Sequence, residues 1–498
     1  MNHFYSAINS QEITGLASDS RLAQAGDIFF AIKGLTIDGN NFIDAVIKKG
    51  IKFIVTDNPA SLNNPNIATN KVNIVLVEDA RLALLDAINI FYPLLPQYRV
   101  AATGTNGKTS VVSYCRQLYS LLGHSSSSIG TMGVEYSPPV HLPLIQEILD
   151  QAPILTTPDP LTIRRIFHIL ATSNIHYIAF EASSHGLHQQ RLDGIKVQAA
   201  CFTSFSQDHL DYHKNMDSYL LAKLRLFTNN LLPSGVAVIN SEIKQLRFVQ
   251  NYLQAHNIKF LTVGRGGDVN ITSTKQSIYG QNIRFTYKEQ SYNFDTSIIG
   301  SFQAANLLIA AMMVQLTGFP FIEILSKLPK IKAVKGRLQR VSKDNSPYHV
   351  VIDYAHTPEA LEKTLLELKS IKETTGLLKV IFGCGGGRDM TKRWQMGQVA
   401  SKIADQIIIT DDNPRHEIPA LIRQQIIKGI GDNNSHYQEI ADRQEAITHA
   451  ITHLNKYDIL LIAGKGHEEY QIIKDNKISF SDWQVATKVL DTIKMIGK

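Results

Sequence analysis

The chain has 498 residues, of which 44% are hydrophobic and 19% are charged, and its formal net charge at pH 7 is +6. This length predicts two to four domains, and the hydrophobic share excludes a disordered or collagen-like chain. The basic residues are spread along the sequence without runs, which argues against a nucleic-acid partner or a membrane-binding stretch. We therefore expect anionic small molecules as ligands.

The three cysteines indicate a reducing compartment. Cys115, Cys201 and Cys384 are odd in number and far apart, so they do not form a disulfide framework. Residues 1–15 contain no basic segment followed by an apolar one, and we expect no secretion signal. The longest apolar run, residues 307–314, is far shorter than the roughly 20 residues that span a bilayer. We expect a cytoplasmic protein without membrane insertion, and a monomer by default.

Short runs rich in valine and isoleucine alternate with amphipathic stretches along the chain. The predicted strands are residues 99–103, 177–181, 198–203, 236–240, 350–353, 379–382, 406–410 and 458–463. Apolar strands separated by helical patterns predict parallel sheets that are covered by helices on both faces. One helix start is well marked, with Thr357 as the N-cap and Pro358 in the first helical position.

Two proline-containing segments, residues 92–96 and 328–336, predict joints between domains. The predicted fold class is α/β with three domains, at residues 1–95, 96–330 and 331–498. We expect a smaller N-terminal α/β domain and a central domain with a mostly parallel sheet. The C-terminal domain is predicted to be doubly wound and Rossmann-like.

A glycine-rich loop follows the first predicted strand of the central domain. Residues 102–109 have the form of a P-loop, with alanine where the first glycine usually stands, between a strand and a helical pattern. Gly104 and Gly107 let backbone N–H groups face phosphate oxygens. Lys108 would reach the β- and γ-phosphates of ATP, and the Thr109 hydroxyl would bind Mg²⁺. The flanking elements favour this reading over a plain glycine turn.

Polar residues follow two further predicted strands. Glu181 ends one strand, and residues 208–213, Asp-His-Leu-Asp-Tyr-His, follow the next. His209 and His213 are four residues apart, a spacing that zinc ligands show on helices. No cysteine or further histidine lies nearby at ligand spacing, which argues against zinc. Lys223 taken alone would be an ordinary surface lysine.

These motifs, residues 104–109, 181–185, 208–213 and 222–223, together resemble the central domain of the Mur ligases. The Mur ligases are ATP-dependent, amide-forming enzymes of peptidoglycan precursor synthesis. The resemblance implies catalytic roles for Lys108, Glu181, His209 and Lys223, and it implies Mg²⁺ as cofactor. Thr109, Glu181, His209 and Lys223 would hold the metal, with Lys223 carbamylated so that a repelled ammonium becomes a carboxylate-like ligand.

The same resemblance implies the sites for the two nucleotides. The implied ATP-binding residues are Gly104, Thr105, Asn106, Gly107, Lys108, Thr109, Ser110, Asn306, Arg337 and Asp353. The segments 19–21, 26–29 and 38–39 are similar to the family's N-terminal domain, which holds a uridine nucleotide. The implied residues for that substrate are Ser18, Ser20, Thr156, Thr157, Ser183, Gln189 and Arg191. The planar guanidinium of Arg191 suits a phosphate or a carboxylate.

The C-terminal third carries five loop motifs that fit the amino-acid-binding domain of the family. Its Asp-Asn-Pro-Arg segment, residues 412–415, is the form associated with meso-2,6-diaminopimelate rather than L-lysine. The implied diaminopimelate-binding residues are Arg388, Asp412, Asn413, Pro414, Arg415, Gly464 and Glu468. We expect Arg415, Asn413 and Arg388 to bind its additional carboxylate, and Glu468 with the Gly464 backbone to bind its ammonium. The alternative is a surface turn with a solvated arginine.

The family resemblance implies a ligase that joins diaminopimelate to the D-glutamate γ-carboxylate of UDP-N-acetylmuramoyl-L-alanyl-D-glutamate through an acyl phosphate. A folylpolyglutamate synthase is one alternative, but it should lack the motifs at residues 19–21 and 412–415. A nucleotide-sensing switch protein is another, but it would not need Glu181, His209 and Lys223 together. Several positions depart from the family pattern: Leu155, Gln303, Lys335, Gly387 and the segment 240–242, which lacks the usual acidic pair.

Overall fold

The computed structural model describes residues 13–34, 37–151, 155–344, 346–431 and 436–495. Three sheets of four, ten and six strands follow one another along the chain, and a two-stranded hairpin is added in the last third. The predicted α/β fold with three domains is confirmed. The expectation of no secretion signal concerns residues 1–15, most of which lie outside the described residues.

The first sheet is parallel throughout, with its strands in chain order. Its strands are β1 Gly15–Ala17, β2 Asp27–Ala31, β3 Phe53–Thr56 and β4 Asn73–Leu76. The helices around it are α1 Ile43–Lys48, α2 Pro65–Thr69 and α3 Ala80–Phe91, with 3-10 turns at Gly39–Phe42 and Pro59–Asn63. Phe29 and Phe30 are fully buried in two different clusters, so both faces of the sheet are covered.

The second sheet has the strand order β14-β13-β12-β11-β10-β9-β5-β8-β6-β7. Its strands are β5 Tyr98–Thr103, β6 Ser126–Gly130, β7 Gly133–Ser137, β8 Tyr177–Glu181, β9 Val197–Phe202, β10 Leu231–Asn240, β11 Lys259–Gly264, β12 Val269–Ser277, β13 Gly280–Tyr287 and β14 Gln290–Thr296. The pairs from β12 to β6 are parallel, and the outer pairs at both ends are antiparallel.

The helices of this central part cover both faces of the ten-stranded sheet. They are α4 Lys108–Leu121, α5 Pro143–Gln151, α6 Pro160–Thr172, α7 Ser184–His188, α8 Leu210–His213, α9 Met216–Arg225, α10 Leu246–Ala255, α11 Ser301–Gln315 and α12 Phe321–Lys327, with a π-helical turn at Leu226–Asn230 and a 3-10 turn at Leu328–Lys330. Val100 and Ala102 of β5 lie in one hydrophobic cluster and Ala101 in another. Successive strand side chains point to opposite faces, so β5 is buried on both.

The third sheet has the order β15-β16-β20-β17-β18-β19 and is parallel except for β15. Its strands are β15 Gln339–Arg340, β16 His349–Asp353, β17 Leu378–Phe382, β18 Gln406–Ile409, β19 Tyr437–Glu439 and β20 Ile459–Ala463, followed by the hairpin β21 Tyr470–Ile473 and β22 Asn476–Ser479. Its helices are α13 Pro358–Ile371, α14 Thr391–Ile403, α15 Pro419–Ile430, α16 Arg443–Thr452 and α17 Asp482–Met495.

All eight strands predicted from the sequence are present, as β5, β8, β9, β10, β16, β17, β18 and β20. The sequence predicts that β10 begins at residue 236, but the strand begins at Leu231. Its first half contains Pro233 and Gly235 and passes through a bulge, which hides the strand pattern in the sequence. The predicted cap of α13 is confirmed, since the Thr357 side chain accepts a hydrogen bond from Ala360 N. Within the described ranges, no helix combines the length and apolar character needed to cross a membrane.

Polar contacts join the three parts of the chain. Arg164 of α6 donates from Nε to the Tyr92 carbonyl oxygen at 3.0 Å and from Nη2 to Asn89 Oδ1 at 2.7 Å, which holds the end of α3. Glu367 of α13 accepts the backbone N–H of Ser301 at 3.0 Å, and the Ser301 hydroxyl donates to its other carboxylate oxygen. A carboxylate at the N-terminus of α11 is favoured by the helix dipole.

A fully buried ion pair joins α16 and α17 and generates a stability prediction. Arg443 donates to Asp482 from Nε at 2.7 Å and from Nη2 at 2.8 Å. Replacing Asp482 with alanine strands a buried guanidinium, which should cost about 3–5 kcal/mol of unfolding free energy. Urea unfolding followed by tryptophan fluorescence measures this loss locally, because both tryptophans of the chain, Trp394 and Trp483, lie in helices of the third sheet.

The double variant Arg443→Met/Asp482→Ala is the control for a charge effect. It removes the stranded cation along with its partner, so it should recover most of the stability that Asp482→Ala loses. A double variant as unstable as the single one would show that packing, rather than the unpaired charge, explains the loss.

Candidate active site

The carboxyl ends of three neighbouring strands of the ten-stranded sheet form one edge. β5 lies between β8 and β9, with Ala102 opposite Glu181 and Thr103 opposite Phe202. The loop after β5 is therefore flanked by Glu181 on one side and by the segment after β9 on the other. Ligands of parallel sheets bind at this kind of edge.

The glycines of the loop after β5 adopt backbone conformations that favour glycine. Gly104 has φ 142° and Gly107 has φ 91°. A Cβ on Gly104 would lie 2.1 Å from Thr203 Oγ1 and 2.9 Å from Ser204 N, so the loop packs directly on the segment after β9. Gly107 leads into α4, whose first N–H groups and dipole suit a phosphate.

The remaining polar residues of the loop tie it to the segment after β9. The Thr105 hydroxyl oxygen accepts a hydrogen bond from Ser206 N at 3.0 Å, and Asn106 N donates to Ser204 Oγ at 2.8 Å. Ser110 lies buried in the first turn of α4. These contacts preorganise the loop before any ligand enters.

Two buried lysines donate to the same carbonyl oxygen. Lys108 Nζ donates to the Gly104 and Thr105 carbonyl oxygens, both at 2.9 Å, and Lys223 Nζ of α9 donates to that of Gly104 at 2.8 Å. Burial lowers the pKa of both ammonium groups. That of Lys223 falls well below its usual range, and the charge of Lys108 contributes to the shift. An anion in this pocket would relieve the repulsion between the two cations.

Glu181 is held rigidly beside the first turn of α4. Its Oε1 accepts from the Thr109 hydroxyl and from Thr131 N, both at 2.9 Å, and its Oε2 accepts from the Thr131 hydroxyl at 3.2 Å. The residue is only 1% exposed. A carboxylate and a hydroxyl oxygen fixed side by side are hard donors of the kind that Mg²⁺ prefers.

His209 borders the same pocket from the segment after β9. Its backbone has φ 53°, and its Nε2 lies 3.4 Å from Asp208 Oδ2. Burial lowers the pKa of His209, Asp208 opposes this shift, and the positive charges of Lys108 and Lys223 reinforce it. Tyr219 links the two sides, because its ring lies 6.2 Å from that of His209 and its face carries Lys223 Nζ at 4.3 Å from the centroid.

The zinc alternative depended on His209 and His213. His213 is buried, and its Nε2 has no hydrogen-bond partner. In the described part of the chain, no three histidine, cysteine, aspartate or glutamate side chains are grouped closely enough to hold a metal ion. A metal beside the loop after β5 would instead need Thr109, Glu181, His209 and a chemically modified Lys223.

The C-terminal domain reaches the loop through Arg337. Its Nη2 donates to the Thr109 hydroxyl oxygen at 3.3 Å, and its guanidinium carbon lies 4.4 Å from the centre of the Tyr354 ring. Asp353 accepts from Leu338 N at 2.7 Å and thereby fixes the segment that carries Arg337. Burial raises the pKa of Asp353, and the charge of Arg337 opposes this shift.

Asn306 borders the loop from α11. Its Nδ2 donates to Gln303 Oε1 at 3.0 Å, and that oxygen also accepts from the Tyr114 hydroxyl at 3.1 Å. A Cβ on Gly107 would lie 2.9 Å from Asn306 Oδ1, so the amide lies directly against the loop. Gln303, which departs from the family pattern, is a buried part of this network and orients Asn306.

Five of the residues predicted for the uridine nucleotide substrate lie together beyond the end of β8. Thr157 Oγ1 accepts from Ser183 N at 2.9 Å, and the Thr157 carbonyl oxygen accepts from Arg191 Nη1 at 2.8 Å. Arg191 Nε donates to Gln189 Oε1 at 3.1 Å. Thr156 precedes Thr157 and follows the half-buried Leu155.

Ser18 and Ser20 belong to the N-terminal domain and lie in the loop after β1. The Ser20 and Arg21 carbonyl oxygens both accept from Lys49 Nζ at 2.8 Å, so the loop is fixed within the N-terminal domain. A substrate that contacts both groups of residues must therefore span two domains.

The loops after β17, β18 and β20, which are adjacent in the third sheet, bring together the residues predicted for the acceptor amino acid. Asn413 Nδ2 donates to Glu468 Oε2 at 2.9 Å. Lys465 Nζ donates to Asn413 Oδ1 and to Glu468 Oε2, both at 3.1 Å. Gly464 has φ 112°, and a Cβ there would lie 2.9 Å from Asp412 Oδ2.

The two predicted arginines flank one glycine loop after β17. Arg415 Nη1 donates to the Gly386 carbonyl oxygen at 2.7 Å. A Cβ on Gly385 would lie 3.0 Å from Arg415 Nη1 and 4.0 Å from Arg388 Cγ. A Cβ on Gly386 would lie 2.0 Å from the Pro414 carbonyl oxygen, so Pro414 packs on the loop only because Gly386 has no side chain.

Gly387 and Lys335, which also depart from the family pattern, both fit their local backbone or surface. Gly387 has φ 61°, a conformation that glycine adopts without strain, and its N–H donates to Glu417 Oε1 at 2.6 Å. Lys335 is exposed just before Gly336.

Sequence reasoning assigned no role to three residues that hold the site together. Thr131 binds both oxygens of Glu181, Tyr219 faces Lys223, and Lys465 joins Asn413 to Glu468. Lys465 follows Gly464, which was predicted to bind the acceptor, but the sequence carries no sign that Lys465 is buried. Thr131 directly follows β6, a strand that the sequence analysis did not predict.

Comparison with known proteins identifies the family. A model described as the Mur ligase middle domain matches residues 102–314, one described as the Mur ligase glutamate ligase domain matches residues 336–466, and one described as the Mur ligase family catalytic domain matches residues 12–92. The chain belongs to the Mur ligase family and is therefore a ligase, as the sequence predicted.

Individual relatives are similar over nearly their whole length. The chain is 54% identical to the UDP-N-acetylmuramoyl-L-alanyl-D-glutamate–2,6-diaminopimelate ligase of Rickettsia conorii, over 96% of this chain and 95% of the relative. It is 40% identical to the ligase of the same name from Zymomonas mobilis, over 93% and 90%. A solved structure of a ligase with that name matches with a TM-score of 0.67 at 30% identity, covering 97% of this chain and 95% of the other.

The close approach of Gly130 to Glu181 allows a test of whether the Glu181 carboxylate binds Mg²⁺. A Cβ on Gly130 would lie 2.2 Å from Glu181 Oε1, so Gly130→Ala must push the Glu181 side chain away from Thr109 and Thr131. Hydrogen bonds to charged groups contribute about 1.5–3 kcal/mol, so the Mg²⁺ concentration for half-maximal nucleotide binding should rise about tenfold or more. This concentration is measured by adding Mg²⁺ to the protein and a fluorescent ATP analogue and following the binding of the analogue.

Thermal stability should also fall in Gly130→Ala, because the displaced carboxylate loses buried hydrogen bonds, so the titration is done well below the melting temperature of the variant. Ile129→Val in the same strand is the control and should keep the wild-type Mg²⁺ requirement. An unchanged requirement in Gly130→Ala would contradict a metal-binding role for Glu181.

Proposed function

We propose that this ligase uses ATP to join meso-2,6-diaminopimelate to the D-glutamate γ-carboxylate of UDP-N-acetylmuramoyl-L-alanyl-D-glutamate, a step of peptidoglycan precursor synthesis. One observation carries the proposal. The buried lysine pair on Gly104 and the fixed Glu181 meet at one strand edge, and Arg337 reaches that edge from the domain that carries the predicted acceptor loops. The likeness to the named relatives supports the choice of substrates.

The loop residues 104–110 hold the phosphates of ATP in this proposal, and Asn306, Arg337 and Asp353 complete the nucleotide site. The γ-carboxylate oxygen forms a bond to the γ-phosphorus while the bond to the bridging oxygen breaks, and ADP leaves. In this proposal Lys108 balances the negative charge that develops on the transferred group. Transfer is needed because a free carboxylate is a poor acyl donor: its oxygen leaves badly and its charge repels a nucleophile.

The amine of the acceptor then attacks the carbonyl carbon of the acyl phosphate. The carbon–nitrogen bond forms, inorganic phosphate leaves with the electrons of its bond to carbon, and the nitrogen loses a proton to give the amide. Arg337 connects the third domain to the central domain through its hydrogen bond to Thr109. In this proposal, domain closure brings the acceptor loops toward the phosphates and excludes water.

A magnesium ion fits the donors at the strand edge. Thr109, Glu181, His209 and Lys223 as a carbamate would hold it, and it would supply positive charge to the phosphate oxygens. As an ammonium, Lys223 would repel the ion. Its burial and the neighbouring Lys108 both favour the neutral amine, which adds to CO₂ and releases one proton to become a carbamate.

The uridine nucleotide substrate lies across two domains in the proposal. Ser18 and Ser20 bind its nucleotide portion. Thr156, Thr157, Ser183, Gln189 and Arg191 bind the muramoyl peptide beside Glu181. The Arg191 guanidinium is already held in place by Thr157 and Gln189, so it is oriented before an anion arrives.

Diaminopimelate binds at the loops of the third sheet. Its additional carboxylate lies against Arg415, with Asn413 and Arg388 beside it, and its ammonium lies near Glu468 and the Gly464 backbone. Asp412 and Pro414 shape the same loop. We also propose that the protein acts in the cytoplasm as a monomer.

Release of ADP tests the proposal directly. With UDP-N-acetylmuramoyl-L-alanyl-D-glutamate, ATP and Mg²⁺, we expect fast release only when diaminopimelate is present, and L-lysine should be used at least about 100-fold less well. Rapid ATP hydrolysis without an acceptor would contradict closure-gated chemistry. Equal use of lysine would remove the acceptor assignment, and acceptance of a folate instead would indicate a folylpolyglutamate synthase.

The variant Lys223→Ala tests the carbamate. Without the modified side chain, turnover should fall by about 10–100-fold or more, and small carboxylates such as acetate or formate should restore part of it by occupying the vacated position. Steady-state ADP release with and without the added carboxylate measures the rescue. Lys196→Ala, at an exposed lysine of the same domain, is the control and should keep full activity. Full activity of Lys223→Ala would refute the assignment.

A further inference from the structure

We propose that the ion pair between Arg393 and Glu417 determines how strongly diaminopimelate is preferred over lysine as the acceptor. The pair does so by fixing the glycine loop, residues 385–387, that lies between Arg388 and Arg415. Arg393 and Glu417 are thus positioning residues of the reaction proposed above, and the inference rests on that proposed function. Neither residue is among those that the sequence predicts for the acceptor.

Arg393 of α14 is fully buried, and its two terminal nitrogens donate four hydrogen bonds within the protein. Two of them reach the Glu417 carboxylate, from Nη1 at 2.8 Å and from Nη2 at 2.9 Å. The other two reach Gln425 Oε1 at 2.8 Å and the Gly385 carbonyl oxygen at 3.2 Å. Because its terminal N–H groups already have acceptors and its side chain is inaccessible, Arg393 acts on a substrate only through its neighbours.

The Glu417 carboxylate joins Arg393 to the glycine loop. Its Oε1 also accepts from Gly387 N at 2.6 Å, so the ion pair and the loop share one oxygen. The hydrogen bond from Arg393, followed by that from Gly387 N, lowers the pKa of Glu417. The Glu417 N–H donates to the Pro414 carbonyl oxygen at 3.1 Å. Glu417 is therefore bonded both to the loop and to the turn that contains Arg415.

The loop and this turn also hold each other directly. Gly386 N donates to the Asn413 carbonyl oxygen at 2.9 Å, and Arg415 Nη1 donates to the Gly386 carbonyl oxygen at 2.7 Å. Arg415 has φ 52°, in the left-handed region that few residues other than glycine adopt. Arg388 directly follows the loop and is exposed. The directions of both guanidinium groups therefore depend on backbone that the ion pair holds in place.

The part of the pocket that is proposed for the ammonium group is held by other contacts. Asn413 Oδ1 accepts from Ile472 N at 3.0 Å and from Lys465 Nζ at 3.1 Å, and Asn413 Nδ2 donates to Glu468 Oε2 at 2.9 Å. These bonds do not pass through the glycine loop. Lysine has the ammonium but lacks the additional carboxylate, so a disturbed loop should affect diaminopimelate far more than lysine.

Removal of the Glu417 carboxylate tests the inference. In Glu417→Ala, Gly387 N loses its acceptor and Arg393 loses its partner, so the two guanidinium groups beside the loop lose their fixed directions. We expect kcat/KM for diaminopimelate to fall about tenfold or more, through a higher KM with little change in kcat. The value for lysine should stay within about threefold of wild type. ADP release with each amino acid measures both.

A double variant separates positioning from stability. Glu417→Ala strands a buried guanidinium, which destabilises the third domain. Arg393→Met/Glu417→Ala removes that charge but restores neither contact to the loop, so it should be more stable than the single variant and still show the lowered ratio of diaminopimelate to lysine use. Thermal melting shows whether each variant is folded at the assay temperature.

Glu439→Ala is the matched control. Glu439 is 39% exposed, close to the 32% of Glu417, and it also accepts from an arginine, Arg423 Nε, at 2.6 Å. It lies on β19 at the edge of the third sheet, and Arg423 keeps Asp411 as a partner when it is removed. This variant should keep the wild-type ratio.

The outcomes separate this inference from the proposed function. Wild-type turnover tests the function alone, and its absence with diaminopimelate would refute the function. If wild type prefers diaminopimelate, a folded Glu417→Ala whose ratio stays within about threefold of wild type overturns the positioning role. So does an equal loss of activity with both amino acids, which would show a merely structural effect. If the single variant does not fold, the same two results in the double variant decide.

Discussion

The Gly104 carbonyl oxygen, which accepts hydrogen bonds from both Lys108 and Lys223, is the contact on which the rest of the site depends. Two ammonium groups buried on one oxygen are unfavourable unless an anion or a chemical change offsets their charge. This constraint explains why the pocket suits phosphate. It also explains why the buried lysine of α9 is the one that the proposed function converts into an anion. Gly104 has φ 142°, and its carbonyl oxygen lies within hydrogen-bond reach of both side chains.

The domains contribute to the site through few polar contacts. Arg337 reaches Thr109, Glu367 caps α11 at Ser301, and Arg164 holds the end of α3. Each contact ends on a loop or a helix terminus rather than inside a sheet. Apolar packing also crosses the domain boundaries, because Ile278 and Ile299 lie in a hydrophobic cluster of the third sheet and Leu161 lies in one of the first sheet. The proposed reaction, which takes three substrates, is compatible with a site that several domains contribute to.

Buried charges are arranged differently at the phosphate loop and at the acceptor loops. At the phosphate loop, like charges are brought together and await an anion. At the acceptor loops, Lys465 and Glu468 cancel each other before any substrate binds. The first arrangement suits a highly charged anion, whereas in the second the charge of Lys465 is paired within the protein.

The sequence by itself determined the α/β class, the eight main strands, the cap of α13 and the motifs at the strand ends. These features depend on local hydrophobic patterns and on residues close together in the chain, which a sequence displays directly. It did not reveal β1–β4, the antiparallel strands β12–β14 or the hairpin β21–β22, whose short or half-polar strands carry weaker patterns.

Only the tertiary structure decided how Lys223 meets Gly104, how Thr131 holds Glu181 and how Lys465 pairs with Glu468 and Asn413. The burial of a lysine depends on what distant segments pack around it, and no local pattern distinguishes it from a solvated lysine. The motifs could therefore be predicted from the sequence, whereas the charge pairing that defines their chemistry depends on long-range packing.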